Sequence, residues 1–212
     1  MPTARKLDLG AYARKAHFDY FRSLSYPYVG VTVNVEITDW IRTVKERRHP
    51  FFFSFLYAVT NAANQVQEFR QRIEGDGIIE FDECASSYTV ALPDESYCYC
   101  QLSCSLPFDE FLPYAAAKQE AAKKEKSLVD GENAQALFFI SSLPWLRYSN
   151  LIQPVPIPAD SNPRITCGKY FEESGRVFIP VTVLCHHALV DGVHISRFYD
   201  HLERQLLLHA QL

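Results

Sequence analysis

Residues 50–69, PFFFSFLYAVTNAANQVQEF, restrict the fold more than any other stretch. Proline suits the first turn of a helix, because the N–H it lacks would have no partner there. Apolar residues then recur at 52, 55, 56, 59, 62, 63 and 66. That is helical spacing over a wide face. Such a helix must be packed on a sheet, and the strands to receive it are legible elsewhere. Residues 30–37 (GVTVNVEI) alternate and are rich in valine, as a half-buried strand should be. Residues 87–92, 97–103 and 137–142 read as further strands. Residues 164–171 and 176–184 pair around a turn at 172–175, and Gly75-Asp76-Gly77 turns between short strands.

Helices lie between these strands. Residues 11–21 form a first helix, and Thr38 caps a short one with Asp39 at its start. Residues 107–126 form an amphipathic helix buried through Phe108, Phe111 and Leu112. Pro113 either kinks it or marks its true start. The last helix begins near Val193, with Ile195, Phe198, Tyr199, Leu202 and Leu206 on one stripe. Residues 154–163 are proline-rich and irregular. Helices and antiparallel strands without a regular βαβ rhythm predict an α+β fold with a mixed, mostly antiparallel sheet covered by helices. The 212 residues contain no repeat or low-complexity linker, so a single domain, 1–212, is expected.

A net charge of -4 argues against a nucleic-acid partner. The lysines of 118–126 alternate with Glu120 and Glu125 and read as a solvated helix face. No apolar run reaches the roughly 20 residues that cross a bilayer, and residues 1–12 lack the apolar core of a signal peptide. No membrane association and a cytoplasmic location are expected. None of the 6 cysteines forms a Cys-x-x-Cys pair, so buried free thiols are expected. Cys98, Cys100 and Cys104 share one strand face, which leaves a soft-metal site as the alternative; no metal is expected.

The chemistry concentrates in CHHALVDG, residues 185–192. A strand, 181–185, runs into adjacent histidines, and alternation sets 185 and 187 on one face and 186 on the other. A histidine at the end of a buried strand can serve as a general base near neutral pH. By itself, His-x-x-x-Asp-Gly fits a structural histidine as well as a catalytic one.

The wider pattern decides between them. HHALVDGVHISRF (186–198) closely resembles the signature of the trimeric, type A chloramphenicol acetyltransferases. YARKAHF (12–18) matches their aromatic-x-Arg-x-x-His-Phe segment. VEIT (35–38), the Phe-rich helix after His49 and GDGIIEFDECASSYTV (75–90) follow in order, as do ISSLPW (140–145) and ITCGKY (165–170). The resemblance spans nearly the whole chain. It implies that fold family's two-layer architecture and an acetyl-CoA-dependent O-acetyltransferase working through a ternary complex. It implies His187 as the base, Ser141 as the hydroxyl donor to the oxyanion, and Thr166 as the holder of a transition-state water. Asp191 pairs with Arg14 and organises the site rather than orienting the imidazole directly. His186 serves packing or an interface. Lys169 lies on the CoA side, and Tyr20, Phe21, Val29, Phe139 and Leu151 belong to the acceptor pocket. The family also implies a homotrimer, with His187 from one subunit and the acceptor pocket largely from the next.

The acceptor pocket departs from the family pattern. Residues 146–151 (LRYSNL) replace a segment that contains Phe and ends Ser-Phe. Pro27 and Val29 stand where the family has cysteine and an aromatic, and the phenylalanine of a later strand falls near Cys98. Chloramphenicol or a similar small hydroxyl compound is therefore the expected acceptor. A different hydroxyl or thiol acceptor, or a trimer that binds without turnover, are the alternatives. The related dihydrolipoamide acyltransferase domains usually open the motif Asp-His-Arg rather than His-His-Ala.

Overall fold

Pro50 adopts an extended φ of -61° and ψ of 116° and launches α3, Phe51–Asn64, as its sequence predicts. Phe53, Phe55, Leu56, Val59, Ala62 and Ala63 are buried in the core. Each fully buried large apolar side chain contributes roughly 1.5–3 kcal/mol, so this one helix anchors the fold. The computed structural model describes residues 3–131 and 133–211. Its remaining helices are α1 Lys15–Phe21, α2 Thr38–Glu46, α4 Phe108–Glu125 and α5 Gly192–Gln211. The strands are β1 Ala4–Lys6, β2 Tyr28–Glu36, β3 Gln71–Glu74, β4 Gly77–Phe81, β5 Ala85–Ala91, β6 Tyr97–Leu102, β7 Leu137–Leu143, β8 Arg164–Gly168, β9 Phe171–Glu173 and β10 Arg176–His186.

A 7-stranded sheet runs in the order β2-β10-β8-β7-β5-β6, with β9 added to β10. β5 and β7, and β7 and β8, are parallel; the other pairs are antiparallel. A mixed sheet covered by helices is thus what the chain forms. β1, β4 and β3 make a separate 3-stranded sheet. The long strand β10 buries Val181, Val183 and Cys185 completely on its helix-covered side. The Tyr199 hydroxyl of α5 donates to the Val181 carbonyl at 2.8 Å and ties that helix to the sheet. Arg72 is fully buried without a carboxylate partner among the described residues. It donates instead to the carbonyls of Phe69, Gln71, Gln135 and Leu137, which is how a buried guanidinium is tolerated. Those bonds pin the start of β7, the strand that carries Ser141. All 6 cysteines are buried and unpaired.

Several boundaries differ from the sequence expectations. The first helix starts at Lys15, not at residue 11, because Asp8 closes a turn with Gly10 and Ala11 and because Arg14 is outside helical geometry. Thr38 is the first residue of α2 rather than its cap. Its hydroxyl donates to Glu36 and accepts from the Val177 N–H, which joins the helix start to β10. α3 stops at Asn64, and a 3-10 turn, Gln67–Arg70, follows. α4 begins at Phe108 and carries Pro113 inside it. Phe108 and Leu112 are only partly buried. The expected strand over 164–171 is broken at Lys169 and Tyr170 into β8 and β9.

Candidate active site

β10 ends at His186, so strand alternation does not place His187. A turn does. The His187 N–H bonds the Pro27 carbonyl at 2.7 Å, and the N–H groups of Leu189 and Val190 return to the His186 carbonyl. The Asp191 carbonyl then accepts from the N–H groups of His194 and Ile195 and starts α5. This tight return brings the His187 imidazole over its own turn. Nδ1 lies 2.9 Å from the Val190 carbonyl and 3.0 Å from Asp191 Oδ1. Both neighbours are acceptors, so Nδ1 carries the proton and Nε2 presents a free lone pair. Phe21 stacks on the ring at 3.8 Å between centroids. The imidazole is held on one face, at one nitrogen, with the basic nitrogen left over.

Asp191 stands between two groups: its Oδ1 lies 3.0 Å from His187 Nδ1, without the alignment of the Val190 hydrogen bond, and its Oδ2 faces Arg14. Arg14 Nη2 stands 2.9 Å from Asp191 Oδ2 as an ion pair without good hydrogen-bond alignment. Arg14 Nη1 donates to the Leu189 carbonyl at 2.9 Å. His186, by contrast, is buried. Its Nδ1 accepts from the Ala188 N–H, and the Tyr28 ring meets it edge-on. Burial pushes its pKa down to about 4 despite the opposing pull of Asp160. It is neutral and packed.

A second polar group lies elsewhere on the sheet. Register aligns Thr32 of β2 with Thr182 of β10, Thr182 with Thr166 of β8, and Thr166 with Ser141 of β7. The result is a row of hydroxyls across neighbouring strands. Thr32 and Thr182 hydroxyls meet at 2.7 Å. Thr182 donates to the Tyr148 hydroxyl, which donates to the Thr166 carbonyl at 2.9 Å. Thr166 Oγ1 donates to Gln153 Oε1 at 3.3 Å. Ser141 has only a long contact, 3.4 Å, with the Thr89 hydroxyl, so its O–H can turn to a ligand. Ser141, Thr89, Phe139, Gln153, Tyr97 and Tyr99 line a cavity of about 300 Å³.

The residues singled out from sequence thus fall into separate groups. Arg14, Phe21, His187 and Asp191 meet at one place. Ser141 and Phe139 line the cavity, and Thr166 is the register neighbour of Ser141. Leu151 lines a different groove with Tyr26, Tyr28, Thr32 and Thr182. Val29 pairs with Cys185 in the sheet. Tyr20 is 62% exposed and meets Phe21 edge-on. Lys169 is exposed at the break between β8 and β9. His187 follows Thr182 by five residues, at most roughly 16 Å of extended chain, and Ser141 is two strand spacings, roughly 10 Å, to the side. By this spacing the Cα atoms of the two residues are at most roughly 19 Å apart in one chain.

Sequence reasoning missed Glu68, Tyr148 and Gln153 and gave His194 no role. His194 stands inside the signature, and its spacing from Asp191 on a helix start was the available signal. Glu68 and Gln153 had none, since only the tertiary fold brings them to these side chains.

Comparisons with known proteins bear on the family and the fold. The family model described as Chloramphenicol acetyltransferase matches residues 3–203. Chloramphenicol acetyltransferase 3 of Escherichia coli is 29% identical over 93% of this chain and 94% of its own length. The chloramphenicol acetyltransferase of Clostridium perfringens is 30% identical over 93% of this chain and 96% of its own. A solved chloramphenicol acetyltransferase structure superposes with a TM-score of 0.88 at 26% identity, covering 96% of this chain and 100% of that one. The cubic core of a pyruvate dehydrogenase multienzyme complex shares the fold, with a TM-score of 0.68 at 18% identity over 93% of this chain and 89% of that one. By its sequence signature, its fold and the match along nearly its full length, the chain belongs to the chloramphenicol acetyltransferase family.

Proposed function

We propose that this protein is an acetyl-CoA-dependent O-acetyltransferase that acetylates a hydroxyl of chloramphenicol or a similar small acceptor. It works as a single-domain homotrimer whose active sites lie between subunits. The observation that carries this reading is the pairing of a pre-oriented base with a distant hydroxyl donor. His187 presents a free Nε2, and Ser141 presents a nearly unengaged hydroxyl. In the proposed trimer a second copy completes the site.

His187 Nε2 takes the proton of the acceptor hydroxyl as its oxygen attacks the thioester carbonyl. A new C–O bond forms, the C–S bond breaks, and the imidazolium returns its proton to the departing CoA sulfur. The proton on Nδ1 stays shared with Val190 and Asp191, so charge on the ring is stabilised while Nε2 works. Ser141 donates to the carbonyl oxygen as negative charge develops there, an interaction typically worth roughly 3 kcal/mol of barrier. Thr166, next to Ser141 in register, holds a water at the same place. Arg14 and Asp191 keep the imidazole in position. Holding both substrates together makes an acyl-enzyme unnecessary. Lys169, exposed, binds phosphate of the acetyl-CoA co-substrate. No metal enters this chemistry as proposed. A cytoplasmic location is part of the reading, since the acetyl donor is made and kept there. With chloramphenicol as acceptor, the biological role is antibiotic resistance.

A more polar hydroxyl acceptor is the second reading. Gln153 Nε2 is buried in the described structure without a partner and lines the Ser141 cavity, where a polar group on the acceptor would satisfy it. Thiol release from acetyl-CoA with chloramphenicol and a panel of hydroxylated compounds tests both. Turnover should require an acceptor and vanish in His187→Ala. No thiol release with any acceptor would overturn the enzyme reading. Release with polar alcohols but not with chloramphenicol would favour the second.

A further inference from the structure

His194 sits two residues into α5 and is 5% exposed. Its Nδ1 receives two donors at once: the Asp191 backbone N–H at 2.9 Å and Arg14 Nη1 at 3.2 Å. Neither donor can reverse, because a backbone amide and a guanidinium have no acceptor capacity. Nδ1 must therefore be bare, and the ring proton sits on Nε2. That nitrogen faces the carboxylate of Glu68 at 3.5 Å, from the 3-10 turn after α3. His187 and His194 are thus opposite tautomers on either side of Asp191. One carries its proton on Nδ1, the other on Nε2.

We infer that His194 is a positioning residue for the base: its bare Nδ1, kept bare by Glu68 at Nε2, holds Arg14 and the Asp191 backbone so that the Asp191 carboxylate stands against His187 Nδ1. The inference rests on the reading of His187 as base. Arg14 is then fixed at the Leu189 carbonyl, the Asp191 carboxylate and His194. Losing the last frees the guanidinium to swing, and the carboxylate follows it. The charged groups that face His194 are Glu68, Arg14, Asp191 and Arg197, with the Tyr12 hydroxyl in the same field. Burial lowers the His194 pKa, and Glu68 opposes that shift. A proton forced onto Nδ1 at acid pH would confront two donors and eject Arg14.

The test compares His194→Leu, which removes the acceptor, with His194→Asn, whose Oδ1 can replace Nδ1. The assay is thiol release from acetyl-CoA with chloramphenicol. His194→Leu should lower kcat by about 10- to 100-fold, the penalty for misplacing a catalytic group by up to an ångström. KM for both substrates should stay within about twofold, and His194→Asn should restore kcat to within about threefold of the native value. On the acid side, log kcat of the native protein should steepen from one proton to two as pH falls, whereas His194→Asn should keep a one-proton slope. Nitrogen NMR of histidine-labelled protein, assigned through His194→Asn, should show the Nε2–H tautomer. An unchanged kcat in a folded His194→Leu overturns the inference. So does a His194→Asn variant as impaired as His194→Leu, or an Nδ1–H tautomer. If His194→Leu does not fold, His194→Asn and the tautomer decide. Native protein that releases no thiol sinks the reading of His187 instead, and the tautomer still decides the role of His194.

Discussion

Two variants that are inactive alone should regain turnover when they share a trimer. Ser141→Ala removes the oxyanion donor and should cost roughly 100-fold or more in kcat. His187→Ala removes the base, typically a loss of 10²–10⁴-fold, about the share supplied by acid–base catalysis. In the proposed trimer each working site joins His187 of one copy to Ser141 of another. In an equal mixture, a site is intact when its His187 donor carries Ser141→Ala and its Ser141 donor carries His187→Ala. Independent half-and-half choices at a rotationally symmetric interface make this about one site in four. Co-expressed variants with different tags should then recover roughly a quarter of native activity, well over 10-fold above either parent. Native mass spectrometry would verify that hybrid trimers had formed. Hybrids that stay at the average of the parents would refute the shared-site geometry, because a site complete within one chain regains nothing by mixing.

Acid should destabilise the fold through buried histidines other than His187. His186 and His209 are both pushed down to about 4 by burial. A histidine with a depressed folded pKa binds its proton more readily when unfolded, so stability is complete above about pH 6.5 and is lost as pH falls toward 4. His186 alone should account for up to about 3 kcal/mol. Urea midpoints measured between pH 7 and pH 4 should fall accordingly. The drop should shrink in His209→Phe, because His209 Nδ1 is buried without a described partner between the Phe108 and Tyr57 rings. An acid dependence unchanged by that substitution would refute the assignment. Gly30→Ala should destabilise by about 1–3 kcal/mol. Its new Cβ would lie 2.7 Å from the Val183 carbonyl and 3.0 Å from Leu184 Cδ1, forcing β2 away from β10. An unchanged urea midpoint would contradict that clash.

Local patterning carried most of the architecture. The Phe-rich helix and the stripe of α5 are written in periods of burial that a short window can read, and the valines of β2 mark a strand although Val31 and Val33 stay exposed in it. Boundaries failed where side chains compete for backbone groups. Asp8 closes a turn that delays α1, and Thr38 bonds across to β10 instead of capping its own helix.

The site divides the same way. CHHALVDG sets His187 and Asp191 in a strand-to-turn return that contiguous residues determine, whereas their roles, and that of Ser141 in ISSLPW, came through the family resemblance. The pairing of Arg14 with Asp191 came through the family resemblance. The second contact of Asp191, with His187 itself, emerged only from the turn. The hydroxyl row from Thr32 to Ser141 depends on the register of strands far apart in the chain. Glu68 reaches His194 only because the turn after α3 packs against the start of α5. The sequence by itself determined which chemical groups are present and which local turns hold them. Tertiary structure decided their neighbours, their tautomers and the distance from base to hydroxyl donor, because those depend on contacts between segments that no local period encodes.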